Sequence, residues 1–407
     1  MRISTQLLFN RGLDNIQNVT VQLQKTQLQI SSGRKVQTPA DDPVAATRIL
    51  RVNQELEQIS QYQRNINLAE NRLKLEDSLL GNVADVLQRL RELAVQAGDG
   101  SQNADDKKFI ASEIRQRLDQ LAGIMNTRDA SGEYIFGGFQ GRQEPFVKDE
   151  SGHYIYRGDE GVRSVQIDGT VSVAVGDNGK RLFEEIPSAN KTFYTEANPN
   201  NQAVPKPVIT QGRVIDQAAW DAFYPEDMVI EFDASTPPQY SIRRVSDGRP
   251  ILSNQTFTSG QPISANGIQF EIVGNPAPGD TYFVHSSEKQ GLLTTVERLA
   301  DSLERYSDTD TGRQVLKDQI DSALANLTNA ETRLLEVRAG LGARLNTIEN
   351  TQQLHGDVEV LTKEVLSELQ DVDFAEAVSQ LTLQSTILQA AQQSYAQVTR
   401  LSLFDRL

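Results

Sequence analysis

The chain has 407 residues, a formal net charge of −15 and no cysteine. This length predicts two or three domains rather than one core. The acidic balance disfavours nucleic acid as a partner, because phosphate binding needs a basic face, and the absence of cysteine excludes disulfides, thiol catalysis and cysteine metal ligands.

The first predicted element is an N-terminal helix with few charges. From Leu13 to Ser32 only Asp14 and Lys25 are charged. One apolar stripe follows seven-residue spacing, at Phe9, Ile16, Leu23 and Ile30. The longest apolar run near this end, Leu7 to Phe9, is far shorter than a secretory signal needs, so export by the general secretory route is not expected.

A second, much longer helix is predicted to begin near Asp41, Asp42 and Pro43. These residues fit an N-cap followed by proline at the first helical position. The alternative is a carboxylate pair that binds metal, and we favour the cap. An unbroken seven-residue register then follows, as in a long helix of a coiled-coil-like bundle: Ala45, Val52, Ile59, Ile66, Leu73, Leu80, Leu87 and Ala94.

A third helix is predicted to return along the second after the break at Gly98, Asp99 and Gly100. It has one apolar face, formed by Ile110, Ile114, Leu118, Leu121 and Met125. Residues 44–126 therefore form a predicted helical hairpin.

The middle of the chain has a different composition. Twelve of the fourteen prolines lie between Pro145 and Pro278, which no long helix would tolerate. Short β-rich runs recur between glycines and prolines, and the aromatic residues, including Trp220, concentrate here as a candidate core. We expect an antiparallel β domain with strands near residues 153–157, 162–167, 170–175, 228–232, 240–245, 268–273 and 281–285.

Seven-residue spacing resumes after the β domain, at Ile320, Leu327, Leu334, Leu341 and Ile348. This helix can complete the bundle only by packing beside the first hairpin, so the β domain is an insertion at the bundle tip. Gly340 and Gly342 each cost about 1 kcal/mol in a helix interior. We expect a neighbouring helix to approach closely there, or the helix to break.

The C-terminal helix is uncharged over residues 377–399. Its apolar positions follow three-and-four spacing, at Val378, Leu381, Leu388, Ala391, Tyr395 and Val398. A membrane span is rejected, because six glutamines between Gln380 and Gln397 would each cost roughly 2 kcal/mol or more in hydrocarbon. We expect a helix with so few charges to have neighbouring helices on most sides.

No constellation of residues indicates catalysis. The three histidines, His153, His285 and His355, lie in no catalytic or metal motif, and we expect His355 to form a polar layer in the helical seam. The spacing from Asp99 resembles a calcium loop, but Ile110 stands where the bidentate Glu belongs. We therefore expect no enzyme activity, no cofactor and no metal.

Four segments resemble the bacterial flagellins and their related hook-associated proteins. They are MRISTQLLFNRGLDNIQ at the N-terminus, ISSGRKVQTPADDPVAATRIL at 30–50, VRAGLGARLNTIEN at 337–350 and the tail YAQVTRLSLFDRL. The resemblance covers about the first 140 and the last 120 residues. TPADDPVAA, EYIFGGFQG, GDEGVRSVQI and GNPAPGDTYFV look like the family members that join hook to filament, more than like flagellin itself.

The resemblance implies a mainly α fold with an inserted antiparallel β domain. Terminal helical arms, residues 1–41 and 356–407, would form an inner tube. A helical bundle, residues 42–140 and 288–355, would surround it, with residues 141–287 as the solvent-facing β domain. The expected assembly interface comprises Phe9, Ile16, Leu23, Ile30, Val378, Leu381, Leu388, Tyr395 and Val398.

The resemblance also implies partners and a location. The partners would be hook-associated protein 1, flagellin, further copies of this chain in a ring, and a flagellar export chaperone that holds the C-terminal helix. The location would be the extracellular flagellum, reached uncleaved through the flagellar type III apparatus. Two alternatives remain open: a flagellin-type filament subunit, and a secreted coiled-coil adhesin with an enzymatic or binding insert.

Overall fold

The computed structural model describes the backbone of residues 5–149 and 152–404, and the side chains of residues 10–149 and 152–397. The chain forms two compact units. Unit 1 comprises Met1–Arg64 and Asn350–Leu407, and unit 2 comprises Asn65–Glu349. The predicted division into arms, bundle and β domain uses other boundaries and stays a prediction.

The described helices are long at both ends of the chain and short in the middle, which confirms the predicted mainly α fold. Asp42 caps the second of them, because its Oδ1 accepts hydrogen bonds from the backbone N–H groups of Val44 (3.0 Å) and Ala45 (2.9 Å). The helices are α1 (Thr5–Ser32), α2 (Pro43–Ala97), α3 (Ala104–Met125), α4 (Gln217–Phe223), α5 (Leu292–Glu304), α6 (Asp310–Gln370) and α7 (Phe374–Phe404).

The seven-residue registers form the bundle core of unit 2. Ile66, Leu73, Leu80 and Leu87 of α2 are fully buried against Ile114 of α3 and Leu334 of α6, among others of one continuous cluster. The predicted hairpin and its third partner are therefore confirmed. Helix α5, which the periodicity did not predict as a separate element, lies between the β domain and α6 and buries Leu293, Val296, Leu299 and Leu303 in the same core.

The expectation for Gly340 and Gly342 is wrong. Helix α6 runs through both glycines without a break. A Cβ at Gly342 would meet nothing within 4 Å, and at Gly340 only Arg344, at 3.8 Å. Within the described residues, no other helix lies within 4 Å of these Cβ positions, and the neighbouring buried Leu341 keeps the segment helical through its own packing.

The strands of the described residues all lie between residues 146 and 289 and pair antiparallel, as predicted. The strands are β1 (Phe146–Lys148), β2 (Tyr154–Tyr156), β3 (Ser164–Gln166), β4 (Ser172–Ala174), β5 (Pro187–Ala197), β6 (Val208–Ile209), β7 (Arg213–Val214), β8 (Met228–Phe232), β9 (Gln239–Arg244), β10 (Pro250–Thr256), β11 (Pro262–Ala265), β12 (Ile268–Val273) and β13 (Thr281–Lys289). A short π-helical turn, Lys180–Glu184, precedes β5.

Two larger sheets enclose the β core. One has the order β10-β9-β8-β13-β5, and the other has the order β11-β12-β6, with β7 also paired to β12. Trp220 of α4 is fully buried between them, together with Phe270 and Tyr282. Strands β5 and β13 pair with each other, with Lys289 opposite Pro187.

The first part of the insertion belongs to the bundle core rather than to the β core. Hairpins β1-β2 and β3-β4 and the π-helical turn bury Phe146, Val173 and Phe183 against α2, α3, α5 and α6. Phe136 and Phe183 meet edge to face at a centroid distance of 5.2 Å. A self-contained β core therefore begins at β5.

Candidate assembly surface

Helices α1 and α7 of unit 1 pack against each other in antiparallel orientation. The hydroxyl of Thr26, which is 4% exposed, donates a 3.0 Å hydrogen bond to Oε1 of Gln384. Further along, a Cβ on Gly12 would lie 3.0 Å from the ring of Tyr395. Glycine at this position therefore lets the two helices approach closely.

The predicted interface residues concentrate on this seam. Partly buried positions are Ile16, Leu23 and Ile30 on α1, and Leu381, Leu388 and Tyr395 on α7. Val378 is half exposed, and Phe9 and Val398 lie outside the residues whose side chains are described. The seam joins the two arms of one chain, and the role of these residues between copies stays a prediction.

Exposed apolar side chains also lie outside this seam and were not singled out from the sequence. On α1 they are Val21, 63% exposed, and Leu28, 57% exposed, one heptad apart. On α7 they are Leu383, 61% exposed, and Ile387, 45% exposed. The signal in the sequence was the near-absence of charge on both helices, because a solvated face would carry Lys or Glu.

Apolar exposure continues on the other helical segments of unit 1. Val44 and Leu50 of α2 are exposed, as are Leu354, Val360, Leu361 and Val365 of α6. Among the described apolar side chains of this unit, only Ile59 and Ala377 are buried. Unit 1 therefore exposes its apolar surface instead of enclosing it, which is unlike an independently folded domain and typical of a surface that other chains cover.

The turns beside the seam tie the ends of α1 and α6 together. The backbone N–H of Lys35 donates to the carbonyl of Gln370 (2.7 Å), and that of Val372 donates to Gly33 (2.9 Å). Gly33 has a φ of +71°, a left-handed conformation that suits glycine. One short antiparallel bridge therefore joins the C-terminal ends of α1 and α6.

The carboxylates of Asp41 and Asp42 serve different partners, which argues against a shared metal. Asp41 forms a 2.7 Å ion pair with Lys25 and accepts a 2.9 Å hydrogen bond from the N–H of Thr38. The Lys25 contact, followed by the bonds from Thr38, holds the pKa of Asp41 well below its usual value. Asp42 caps α2. Within the described parts of the chain, no group of acidic and histidine side chains could hold a metal ion.

The three histidines lie apart and form no catalytic arrangement. His153 Nδ1 lies 3.1 Å from Oε2 of the buried Glu297, and His285 Nδ1 lies 3.0 Å from Asp227. Burial is the largest single effect on His153 and opposes its charged form, but the hydrogen bond to Glu297 and the negative charges of Glu297, Asp301 and Asp149 together raise its pKa. The buried His355 stacks on Tyr62, with ring centroids 5.5 Å apart.

Membrane insertion finds no support in the described helices. None of them combines the length and the hydropathy that a bilayer span requires.

Family models for the bacterial flagellin N-terminal and C-terminal helical regions match residues 3–140 and 319–406. Flagellar hook-associated protein 3 of Escherichia coli is 26% identical over 405 residues, which are 100% of this chain and 99% of that protein. The crystal structure of flagellar hook-associated protein 3 from Legionella pneumophila covers 79% of this chain and 98% of its own, at 27% identity and a TM-score of 0.54. The flagellar filament 41 kDa core protein of Borreliella burgdorferi is 34% identical over 102 residues, 25% of this chain and 30% of that protein.

Proposed function

Because the chain belongs to the bacterial flagellin family, we propose that it is the structural junction protein that joins the hook-associated ring to the flagellin filament. The observation that carries this proposal is the exposure of unit 1. Nearly all of its described apolar side chains are accessible to solvent. Such a surface is stable in water only when other chains cover it.

The two arms supply the contact surface in this mechanism. Pairing α1 with α7 buries one face of each helix and leaves Val21, Leu28, Leu383 and Ile387 outward. Neighbouring copies would cover these residues at a gain of about 25 cal/mol per Å² of apolar surface. The glutamines of α7 would gain hydrogen-bond partners in the same contact, which fits a helix without a charged face.

The partners follow from this position in the flagellum. Hook-associated protein 1 would lie on the hook side, flagellin on the filament side, and further copies of the chain would complete the ring. A flagellar export chaperone would cover α7 before assembly, because an uncharged amphipathic helix is prone to aggregate. Export would be uncleaved, through the flagellar type III apparatus, to an extracellular location.

A junction role is favoured over that of a filament subunit. The match to hook-associated protein 3 spans the whole chain, whereas the match to the filament protein covers a quarter of it. An adhesin with an enzymatic insert is less consistent still, since these full-length relatives are named as flagellar hook-associated proteins. We therefore propose a non-enzymatic role.

Deletion of the gene tests the junction role directly. Cells that lack the chain should assemble hooks without filaments and release flagellin into the medium. Cells that keep normal filaments after the deletion would refute the role.

A double substitution tests the surface. Leu383→Asp with Ile387→Asp should abolish filaments while the protein is still made and exported. Val245→Asp, at an exposed apolar residue of the β domain, is the matched control and should leave filaments unchanged.

A further inference from the structure

The first turns of α2 carry a face of unpaired positive charge. Val44, Thr47, Arg48 and Arg51, called the basic face below, are spaced three and four residues apart and are all exposed. Neither arginine forms an ion pair with any residue that the structure describes. Asp41 and Asp42 are engaged with Lys25 and with the helix cap, and the exposed Glu55, one turn beyond Arg51, forms no ion pair with either arginine within the described residues.

The last turns of α6 carry a face of the opposite sign. It alternates apolar and acidic side chains at helical spacing and is exposed throughout. The acidic face comprises Leu354, Asp357, Leu361, Glu364, Val365 and Glu368. Its three carboxylates form no ion pair within the described parts of the chain.

The two faces cannot neutralise each other within one copy. Helices α2 and α6 meet in unit 1 through other residues: Tyr62 stacks on His355, and Gln63 donates a 2.7 Å hydrogen bond to Glu359. Thr362 is buried on this contact side, and Glu364 lies two residues further, about 200° around the helix. The acidic face therefore points away from α2.

We propose that the basic face of one copy binds the acidic face of the next copy. Two arginines would meet three carboxylates, with Val44 opposite the apolar residues of α6. Because the two faces are different surfaces, the contact is head to tail, and such contacts generate rings or helical arrays. This inference rests on the proposed junction role and identifies which surfaces of neighbouring copies meet.

Charge complementarity indicates that each face binds a second copy of this chain. The chain has a net charge of −15, so two exposed arginines that form no ion pair within the described residues are a specific feature against that background. Opposed charges at an interface fix its register and suppress wrong pairings, whereas like charges disrupt it. The contact should also weaken with salt, since exposed charges are screened over about 10 Å at 0.1 M.

Charge reversal in full-length chains, expressed in cells that lack the native gene, tests the pairing. Arg48→Glu with Arg51→Glu should lower the number of filaments per cell at least ~10-fold, and so should Glu364→Arg with Glu368→Arg. A chain carrying all four substitutions restores opposite charges and should recover filaments. Arg64→Glu with Glu349→Arg is the matched control, because both residues are exposed on α2 and α6 but lie off the two faces.

A cross-linking experiment gives a second readout that does not depend on filaments. The chain has no cysteine, so Thr47→Cys with Leu361→Cys introduces one thiol on each face. Oxidation of isolated flagellar hooks should produce a ladder of dimers, trimers and larger species of this chain. Either cysteine alone should give no species beyond a dimer.

The outcomes separate this inference from the junction role. If deletion of the gene abolishes filaments but both reversed pairs assemble normally, the face pairing is wrong and the junction role stands. If the four-substitution chain folds and is exported without restoring filaments, and no ladder forms, the faces bind another protein and the inference falls. Normal filaments in the deletion strain would refute the junction role. The cross-linking experiment would still test whether the basic and acidic faces pair.

Discussion

Arg298 Nη2 donates a 2.8 Å hydrogen bond to the backbone carbonyl of Phe193, and its guanidinium carbon lies 4.8 Å from the centroid of the Phe193 ring. Its Nη1 donates to Thr192 Oγ1 (2.7 Å) and to Gln290 Oε1 (2.8 Å). Burial lowers the pKa of Arg298 to about 10. One buried cation on α5 thus ties the bundle of unit 2 to the first strand of the β core.

We expect Arg298→Ala to loosen this connection. The substitution leaves a buried hydroxyl, an amide oxygen and a carbonyl without their charged donor, which should cost about 2 to 4 kcal/mol of unfolding free energy. Urea denaturation gives the free energy, and amide exchange should accelerate in β5. Arg243→Ala, at a half-exposed arginine of β9, should change neither quantity measurably.

Stability should fall as the pH rises, because of the buried Glu76. Its Oε1 accepts a 3.0 Å hydrogen bond from the N–H of Asp177, and burial, followed by repulsion from Asp177, raises its pKa to about 8. Since this pKa lies above the unfolded value, the folded state binds more protons between pH 4.5 and 8. The contribution is complete below that window and is lost through it, up to roughly 5 kcal/mol.

Glu76→Gln should flatten this dependence while keeping the acceptor for Asp177. Denaturation at several pH values between about 5 and 9 measures the slope. Glu184, whose pKa burial also raises to about 8, should leave a residual slope of the same sign. An unchanged slope in Glu76→Gln, with Glu92→Gln as the exposed control, would contradict the assignment.

The bundle seam should be sensitive to truncation. Leu80→Ala and Leu334→Ala each remove a buried side chain from the core and should cost about 2 to 5 kcal/mol of unfolding free energy. Leu335→Ala is a control one residue away, because Leu335 is 66% exposed. Equal losses at Leu334 and Leu335 would show that burial is not the cause.

The β core should be removable if the deletion leaves the side chains of the bundle core in place. Replacement of residues 188–288 by a short Gly/Ser linker joins two adjacent strand ends and should leave the bundle folded. Replacement of residues 141–287 should fail, because it also deletes Phe146 and Phe183 from the bundle core. Thermal melting of both proteins, followed by circular dichroism, distinguishes the two. A stable bundle without residues 141–187 would show that those side chains are dispensable.

The arms of the free monomer should be sensitive to protease. Ordering each residue costs roughly 1 to 2 kcal/mol of backbone entropy, and unit 1 buries few apolar side chains to offset that cost. Limited proteolysis at low concentration should trim both ends and stop near Asp42 and near His355. Slow amide exchange throughout α1 and α7 in a strictly monomeric sample would contradict this expectation.

The seven-residue spacing of apolar residues predicted the long helices well, because this spacing does not depend on how the helices pack in detail. The start of α2 was equally accessible, since Asp42 and Pro43 are chemically specific to a helix N-terminus. Helix α5 was missed because it is short and directly follows β13. Strand β5 was missed because its exposed polar residues obscure any alternation.

The candidate surface was predicted only in part. The seven-residue stripe of α1 identified the side that packs on α7, since Ile16, Leu23 and Ile30 all lie there. The opposite face, with Val21 and Leu28, follows no stronger period and could be recognised only when exposure was known. A helix that is apolar on two sides does not reveal in its sequence which side stays within the chain.

Pro187 and Lys289 stand opposite each other, so the polypeptide leaves the helical scaffold and re-enters it at one place. A guest domain whose own termini are close together could occupy the same position without shifting the register of α2, α3 or α6. Reporter or antigen domains grafted there would be carried by an unchanged scaffold. The same geometry lets this region change in length between related chains while the helices that build the assembly keep theirs.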